Sequence, residues 1–419
     1  MRSMPIGLPR VFFLTGTPLI YDRFQRVASS VIRLDDSRPA TNEAIAGLLD
    51  CLAGGKSIFA GCDSVAAIAP ASPEQRPDGQ RLYCQSSGTS DLAKTIRRTP
   101  SSWIASFEIN RDRYRLGAGD GYGVLGALSH SLSLYGVLEA LHVGADLCIL
   151  SGLSPKKQLS ALRERQISVL YATPSQLRLL LEGAKADMRP LPHLRVLFSG
   201  GGKLDTLCRA GMQDLCANAQ IFEFYGASET SFIAISDAQT PQGSVGQAYP
   251  GVELQIRDAN GLATDEIGEI WVKSPYLFEG YETGDSADTR WQEGYLTVGE
   301  MGLVDGDGNL FLKGRKSRMI TVADQNVFLE DVEAVLQSDV DVRLSAALAR
   351  PDRQRGHVVV AIVEAEEHAH LTARLLAACR TSLGALAAPK QILFVDTMPL
   401  LPAGKPDLLA LARLLGERA

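Results

Sequence analysis

The sequence has few of the side chains that build metal sites and disulfide frameworks. Its seven cysteines are scattered along 419 residues without a CxxC pair, and its six histidines are equally dispersed. Metal sites and disulfide scaffolds leave regular spacings of these residues. We therefore expect free, buried thiols in a reducing compartment and no structural metal site.

Long apolar runs and an excess of basic charge are also missing. No run reaches the roughly 18 residues that read as a membrane span, and Pro18, Tyr21 and Asp22 interrupt the apolar patch near the N-terminus without a small-residue cleavage site. The net charge is −6, whereas a general nucleic-acid binder needs a basic surface. We expect a cytoplasmic protein with no membrane span and no nucleic-acid partner.

The hydrophobic content of 45% is enough for a substantial core. From residue 81 to about 235, strand-like apolar runs alternate with helical patterns, which predicts parallel βαβ units. Short segments punctuated by Gly and Asp after residue 240 predict antiparallel hairpins. The pattern predicts an α/β fold: a large N-terminal domain of mixed and parallel sheets flanked by helices (1–314), β-rich at about 240–314, and a small α+β C-terminal domain (320–419), with the boundary at 315–319.

Four short motifs contain residue types that suit a nucleotide. Hydroxyls and a glycine at 85–94 offer donors to phosphate, although the spacing is not that of a P-loop. An aromatic, a glycine and an acid follow one another at 222–229, and an acid and a base occur at 295–300 and 314–318. Lys405 lies on a Pro/Gly loop. Taken singly, each motif is more typical of an ordinary loop, turn or surface.

A fifth pattern, GxGxxG at 121–126, does not indicate a dinucleotide site. No clear apolar strand precedes it, and no acidic ribose partner follows at the expected spacing. We interpret it as the glycine-rich start of a helix.

In their order and separations, the four motifs resemble those of the adenylate-forming superfamily, which comprises acyl- and aryl-CoA synthetases, peptide-synthetase adenylation domains and luciferases. SSGTSDLAK (86–94) is similar to the family's phosphate loop, SGGG (199–202) to its adenine-side glycines and YGASE (225–229) to its YGxTE. VGE, GRKSRMI and PAGKPD resemble the ribose, hinge and C-terminal lysine motifs. The resemblance extends from Arg81 to the C-terminus, with a shortened N-terminal lobe. It implies that residues 315–319 form a hinge and that the small C-terminal domain is mobile.

The resemblance implies activation of a carboxylic acid with ATP and Mg²⁺ to an acyl-adenylate. Lys405 would bridge the carboxylate and the α-phosphate, His130 would line the carboxylate pocket, and Glu229 would ligate Mg²⁺. The other nucleotide-binding residues would be Ser86, Ser87, Gly88, Thr89, Lys94, Gly201, Gly202, Tyr225, Gly226, Ser228, Glu300 and Arg315.

The chain departs from the family pattern at several positions. Asp91 and Ala93 replace a glycine and a proline of the phosphate loop, Glu300 replaces an aspartate, and Asp324 stands where thiol-transferring members have a glycine. No aspartate is identified for an amino-acid ammonium group, so an aromatic or short acyl acid is expected.

The thiol acceptor and the role of His130 have alternatives. Asp324 and the trimmed architecture favour the phosphopantetheine of an acyl carrier protein, and free CoA is the alternative. A degenerate, non-catalytic binding protein is a second alternative. His130 could also be a core or surface histidine.

Overall fold

The structure, a computed structural model, describes residues 23–24, 26, 31–33, 39–60, 65–67, 79–86, 94–185, 189–400 and 406–417. Within these ranges the chain has the predicted α/β fold. Its helices are α1 (Pro39–Gly54), α2 (Pro100–Tyr114), α3 (Ser131–Val143), α4 (Pro155–Glu164), α5 (Pro174–Ala184), α6 (Thr206–Leu215), α7 (Leu329–Gln337), α8 (Ala369–Leu383) and α9 (Leu408–Glu417).

The first twelve strands of the described chain lie between residues 32 and 248. They are β1 (Ile32–Arg33), β2 (Ile58–Ala60), β3 (Val65–Ala67), β4 (Leu82–Ser86), β5 (Lys94–Arg98), β6 (Gly121–Val124), β7 (Asp146–Ile149), β8 (Val169–Ala172), β9 (Val196–Ser199), β10 (Gln220–Ala227), β11 (Ser231–Ile235) and β12 (Gln247–Ala248).

The other strands follow in the C-terminal half. They are β13 (Glu253–Arg257), β14 (Gly268–Lys273), β15 (Gly280–Thr283), β16 (Arg290–Gln292), β17 (Tyr295–Thr297), β18 (Glu300–Val304), β19 (Leu310–Arg315), β20 (Met319–Val322), β21 (Gln325–Phe328), β22 (Leu344–Asp352), β23 (Gly356–Glu364) and β24 (Gln391–Val395).

The largest sheet is built from the predicted βαβ units. Its eight described strands run in the order β1-β7-β6-β8-β9-β10-β11-β12. Neighbouring strands from β1 to β10 in this order are parallel. β11 pairs antiparallel with β10, and β12 pairs antiparallel with β11. Helices α3 to α6 connect the parallel strands, because parallel neighbours need a long crossover connection, which is usually a helix. The carboxyl ends of these strands therefore share one edge.

The interpretation of the GxGxxG segment as a helix start is wrong. Gly121–Val124 is β6, a strand between β7 and β8. A Cβ on Gly123 would lie 3.0 Å from the Leu162 side chain and 3.2 Å from that of Ile167. The glycine lets the sheet approach α4 closely, so the pattern reflects packing.

A second sheet holds the predicted phosphate-loop motif. Its described strands run β15-β5-β4-β2-β3. β4 and β5 are antiparallel, with Ser86 opposite Lys94. Ser87, Gly88 and Thr89 lie outside the described residues, as do Asp91 and Ala93, and so does the Ser86 side chain.

The C-terminal half is rich in antiparallel strands, as predicted. A sheet in the order β16-β17-β14-β18-β19, with β13 beside β14, precedes the hairpin β20-β21 and the sheet β22-β23-β24. A 3₁₀ turn at Lys316–Arg318 lies between β19 and β20. Among the described residues, no helix is both long and apolar enough to cross a membrane.

A hydrogen-bonded carboxyl group lies in the core between α2, α3 and the large sheet. Glu139 is 0% exposed and accepts hydrogen bonds from Asn110 Nδ2 (2.8 Å), the Tyr171 hydroxyl (2.7 Å) and the Tyr122 hydroxyl (3.1 Å). Burial raises the pKa of Glu139 from 4.5 to about 7, although these hydrogen bonds oppose the shift. The core therefore holds a proton that the unfolded chain would release.

This proton makes stability depend on pH. As the pH rises from 4.5 to about 7, the unfolded chain loses the Glu139 proton while the folded chain keeps it, so the free energy of unfolding falls. The loss is on the order of 3 kcal/mol at most. Across that interval, calorimetry should show a steeper fall in Tm for the wild type than for Glu139→Gln, and parallel curves would contradict the assignment.

Candidate functional site

The turn between β10 and β11 contains two of the predicted site residues, Ser228 and Glu229, and two more, Tyr225 and Gly226, lie at the end of β10. The Ala227 amide donates to Thr230 Oγ1 (3.0 Å), and the Thr230 amide donates to the Ala227 carbonyl (3.2 Å). The β10–β11 register shifts between Tyr225 and Gly226. A Cβ on Gly226 would lie 1.9 Å from the Ser231 carbonyl oxygen. Gly226 is therefore required by the close packing of the two strands.

The start of α3 lies against this turn. Ser131 Oγ is 3.1 Å from Ser228 Oγ, so the two hydroxyls share a hydrogen bond. A parallel bridge joins His130 to Gln85, near the end of β4. His130 and Ser228 are thus brought to the end of the strand that carries Ser86.

His130 is half-buried at the position before α3. Burial lowers the pKa of its imidazole, because the charged form loses solvation. A neutral imidazole has one donor and one acceptor nitrogen. His130 can therefore hydrogen-bond a carboxylic substrate without carrying a charge.

Glu229 is held from the side of the second sheet. The Tyr281 hydroxyl donates to Glu229 Oε1 (2.8 Å) and lies 2.9 Å from Thr289 Oγ1. Lys94 Nζ lies 5.6 Å from the centre of the Tyr281 ring. In the described chain no Lys or Arg forms an ion pair with Glu229. A hydroxyl orients this carboxylate, and no described cation contacts it.

Glu300 and Arg315 form an ion pair across β18 and β19. They are directly opposite in the ladder, and Arg315 Nε donates to Glu300 Oε1 (3.0 Å). Burial lowers the pKa of Arg315, but the charges of Glu300 and Glu229 outweigh this effect and raise it above its usual value. The pair therefore lies within the electrostatic field of Glu229.

Tyr225 adjoins this pair without a polar partner of its own. Its hydroxyl is buried and has no hydrogen-bond partner among the described residues. Burial raises the pKa of Tyr225 well above its usual value, Glu300 raises it further, and Arg315 opposes the shift. The Tyr225 side chain packs on the apolar cluster that includes Ile233 and Ile256.

The glycines after β9 differ in what the fold requires of them. Gly201 has a φ of +81°, where a side chain would be strained. A Cβ on Gly202 would meet only Pro174, at 3.9 Å. The tightest position is Gly200, where a Cβ would lie 2.2 Å from the Phe224 ring. The sequence prediction named Gly201 and Gly202 and missed Gly200.

The structure brings most of the described site residues together in two linked groups. The first group consists of the β10–β11 turn, with Ser228 and Glu229, and its neighbours Lys94 and His130. The second group lies beside the turn and consists of Tyr225, Glu300 and Arg315. Lys405 lies outside the described residues. Three further contact residues were not predicted: Arg98, Ser131 and Tyr281. Only Ser131, next to His130, had a local signal in the sequence.

Comparison with known proteins gives the family. Residues 20–282 match the model of the AMP-binding enzyme family, and residues 331–405 match that of the AMP-binding enzyme C-terminal domain. The first match covers more than half of the chain. The chain belongs to the AMP-binding enzyme family, within the adenylate-forming superfamily that the motifs resemble.

Curated relatives are named as acyl-CoA ligases. The uncharacterized acyl–CoA ligase YhfT of Bacillus subtilis is 32% identical over 325 residues, which cover 76% of this chain and 65% of the relative. Indoleacetate–CoA ligase of Aromatoleum aromaticum is 27% identical, with 80% of this chain and 67% of the relative covered. The chain thus spans about two thirds of the length of these relatives.

Solved structures share the fold, which consists of a large N-terminal and a small C-terminal domain. The amide bond synthetase McbA from Marinactinospora thermotolerans matches with a TM-score of 0.69 at 26% identity, covering 83% of this chain and 73% of that one. ATP-bound MatB from Rhodopseudomonas palustris matches with a TM-score of 0.71 at 23% identity, covering 88% and 72%. At the latter identity the likeness concerns the fold alone.

Proposed function

We propose that this chain activates a carboxylic acid with ATP, forming an acyl-adenylate and pyrophosphate, and then transfers the acyl group to the thiol of CoA. The observation that carries the proposal is the convergence of Ser228, Glu229 and His130 at one turn beside the Glu300–Arg315 pair. That arrangement joins a phosphate-binding hydroxyl, an anionic metal ligand and a carboxylate-binding imidazole.

Glu229 fits a magnesium ion. Mg²⁺ is commonly held by one or two protein carboxylates together with substrate phosphates and water. Glu229 offers such a carboxylate, fixed by the Tyr281 hydroxyl and free of a contacting cation in the described chain. The ion would neutralise part of the charge on the ATP phosphates.

The remaining residues would bind and align two anionic reactants. Lys94 would bind the terminal phosphates, Ser228 the α-phosphate, and Glu300 with Arg315 the ribose. Alignment and charge neutralisation supply most of the barrier reduction in phosphoryl and adenylyl transfer. Neutral His130 would hydrogen-bond the carboxylate without forming a salt bridge with it. Lys405, from its motif, would supply charge between the carboxylate and phosphorus.

An aromatic or short acyl acid fits the surroundings of His130. Tyr135, one turn along α3, is 5% exposed and lies 5.3 Å from the rings of both Trp103 and Phe232. These rings belong to the closely packed core beside α3, and such packing favours a small or flat acid over a long acyl chain. The relative named indoleacetate–CoA ligase bears the name of an aromatic acid.

Free CoA is now preferred to an acyl carrier protein as acceptor. The names of the relatives support this choice. Asp324, which had favoured a carrier protein, is exposed in a two-residue turn between β20 and β21, with φ of +66°. An exposed side chain at a hairpin tip can turn into solvent, so the Asp324 argument against free CoA loses force.

We also propose that residues 1–314 and 320–419 are two domains joined by a hinge at 315–319. The 3₁₀ turn there forms one ion pair with each of the two proposed domains. Lys316 Nζ lies 3.4 Å from Glu269 of β14, and Arg318 lies 2.7 Å from Glu333 of α7. Both pairs are partly buried, and each joins the turn to only one of the two proposed domains, so neither has to break when the domains rotate about the turn.

Pyrophosphate release tests the proposal. The chain is mixed with ATP, Mg²⁺ and a panel of aromatic and short aliphatic acids, and release above the acid-free rate is expected for at least one acid. Formation of the thioester is then compared between CoA and a holo acyl carrier protein. Absence of turnover with every acid, together with absence of ATP binding in calorimetry, would favour a non-catalytic binding protein.

A further inference from the structure

An arginine that the proposed reaction does not use lies beneath the β10–β11 turn. Arg98, the last residue of β5, is 0% exposed. Its Nη1 donates to Ser231 Oγ (2.9 Å), Ser102 Oγ (3.2 Å) and the Tyr276 carbonyl (3.2 Å), and its Nη2 donates to the Ser228 carbonyl. One side chain thus joins β5, α2, the segment before β15 and the predicted α-phosphate turn.

Among the described residues, no carboxylate contacts the positive charge of Arg98. In the described chain no Asp or Glu lies within ion-pair distance of Arg98, and the Trp103 ring lies 5.0 Å from its guanidinium carbon. Burying an unpaired charge costs on the order of several kcal/mol, even after the surrounding protein has relaxed. Burial lowers the pKa of Arg98 to about 10, with Cys84 and Glu229 opposing the shift, so the group stays charged at neutral pH.

The turn held by Arg98 is conformationally unusual. Ser231 has a φ of +56°, a left-handed conformation that costs a non-glycine residue about 1 kcal/mol or more. Its hydroxyl accepts hydrogen bonds from both Arg98 Nη1 (2.9 Å) and Trp103 Nε1 (3.0 Å). Since Arg98 also binds the Ser228 carbonyl, it holds both ends of the segment that contains Glu229.

We infer that Arg98 is a positioning residue for adenylation, which fixes the main chain from Ser228 to Ser231 and directs a buried positive charge toward the anionic nucleotide. The inference rests on the proposed function. Arg98 touches neither reactant: it acts through Ser228 and Glu229 and through its field in a medium of low dielectric constant. Glu229 already acts on the Arg98 charge from beyond contact distance, and the anionic nucleotide would add to this stabilisation.

The test compares Arg98→Met, Arg98→Lys and a matched control, Arg97→Met. Arg97 is adjacent on β5 and pairs with Glu279 and Glu282 on the exposed side. Arg98→Met should lower kcat for pyrophosphate release by about 100-fold, with little change in KM for the acid, as expected for loss of transition-state stabilisation. It should also weaken calorimetric binding of Mg²⁺–ATP by about 10-fold.

The variants separate charge from geometry. Arg98→Lys keeps the charge and should recover about 10-fold of the lost rate, because lysine supplies a point charge without the fork of donors. Arg97→Met should match the wild type. Circular dichroism and Tm identify variants that fail to fold. If Arg98→Met does not fold, Ser231→Ala, which removes only the shared hydroxyl acceptor, should still lower kcat.

Several outcomes would overturn the inference. A folded Arg98→Met with the kcat and Mg²⁺–ATP affinity of Arg97→Met would do so, as would a Ser231→Ala with wild-type kinetics. Equal losses for the lysine and methionine variants would overturn the electrostatic role. Failure of the proposed function looks different, because then the wild type and Arg97→Met would also release no pyrophosphate with any acid.

Discussion

Replacing Glu229 with glutamine should slow pyrophosphate release by about 100-fold or more, the typical effect of losing one preorganised charge-stabilising group. Glutamine matches glutamate in size and can still accept the Tyr281 hydrogen bond of 2.8 Å. The change therefore removes charge with little change in shape. The apparent affinity for Mg²⁺, measured by titration of the initial rate, should fall with it.

Tyr281→Phe is the control for the Glu229 variant. It leaves the carboxylate charged but removes the hydroxyl that orients it. We expect a loss in Mg²⁺ affinity of about 10-fold, as for other groups that orient a metal ligand. A Glu229→Gln protein with unchanged Mg²⁺ dependence would show that Glu229 is not the metal ligand.

Lys405→Ala should separate the two half-reactions. The rate of adenylate formation should fall by about 1,000-fold, because lysine would neutralise charge that develops between carboxylate and phosphorus. Transfer of the acyl group from a supplied acyl-adenylate to CoA should change little. The described residues next to the loop, Leu400 and Pro406, form an antiparallel bridge, and the Asp407 amide donates to the Pro399 carbonyl (2.9 Å).

Lys390→Ala is the matched control for Lys405→Ala. Lys390 is an exposed lysine just before β24 in the same C-terminal region. Single-turnover measurements of pyrophosphate release and of thioester formation should give wild-type rates for Lys390→Ala. If Lys405→Ala slowed both half-reactions equally, the assigned role of Lys405 would be wrong.

Periodic and strongly apolar segments were predictable from the sequence. The helical spacing of apolar residues at 43–53 and 370–383 corresponds to α1 and α8. Three of the apolar runs between residues 81 and 235 correspond to β7, β8 and β9. Helix α2 was not predicted, because Ser102, Ser106 and Asn110 are buried alongside Trp103 and Phe107. Its polar residues are not confined to a solvent face, so it lacks the amphipathic pattern that identifies a helix.

The site shows the same division between local and distant signals. The order of motifs predicts Ser228, Glu229 and Arg315 as site residues, because each lies in a short recognisable string. Tyr281 lies 52 residues from Glu229, and Arg98 lies 130 residues from Ser228. Nothing local marks either contact, since each depends on how separate sheets meet. Three-dimensional packing also decides which of the three glycines after β9 is the most tightly packed, namely Gly200.

The pairing of β5 with β15 has a consequence for the nascent chain. Gly280 lies opposite Arg97, so the edge next to the phosphate-loop hairpin is covered by a strand that is synthesised much later. At ribosomal rates the interval is roughly 10 to 40 seconds. During that time β5 is an open edge, and uncovered edges invite pairing with other chains. The charged side chains of Lys94 and Arg97 on β5 would disfavour such pairing until β15 has been synthesised and pairs with β5.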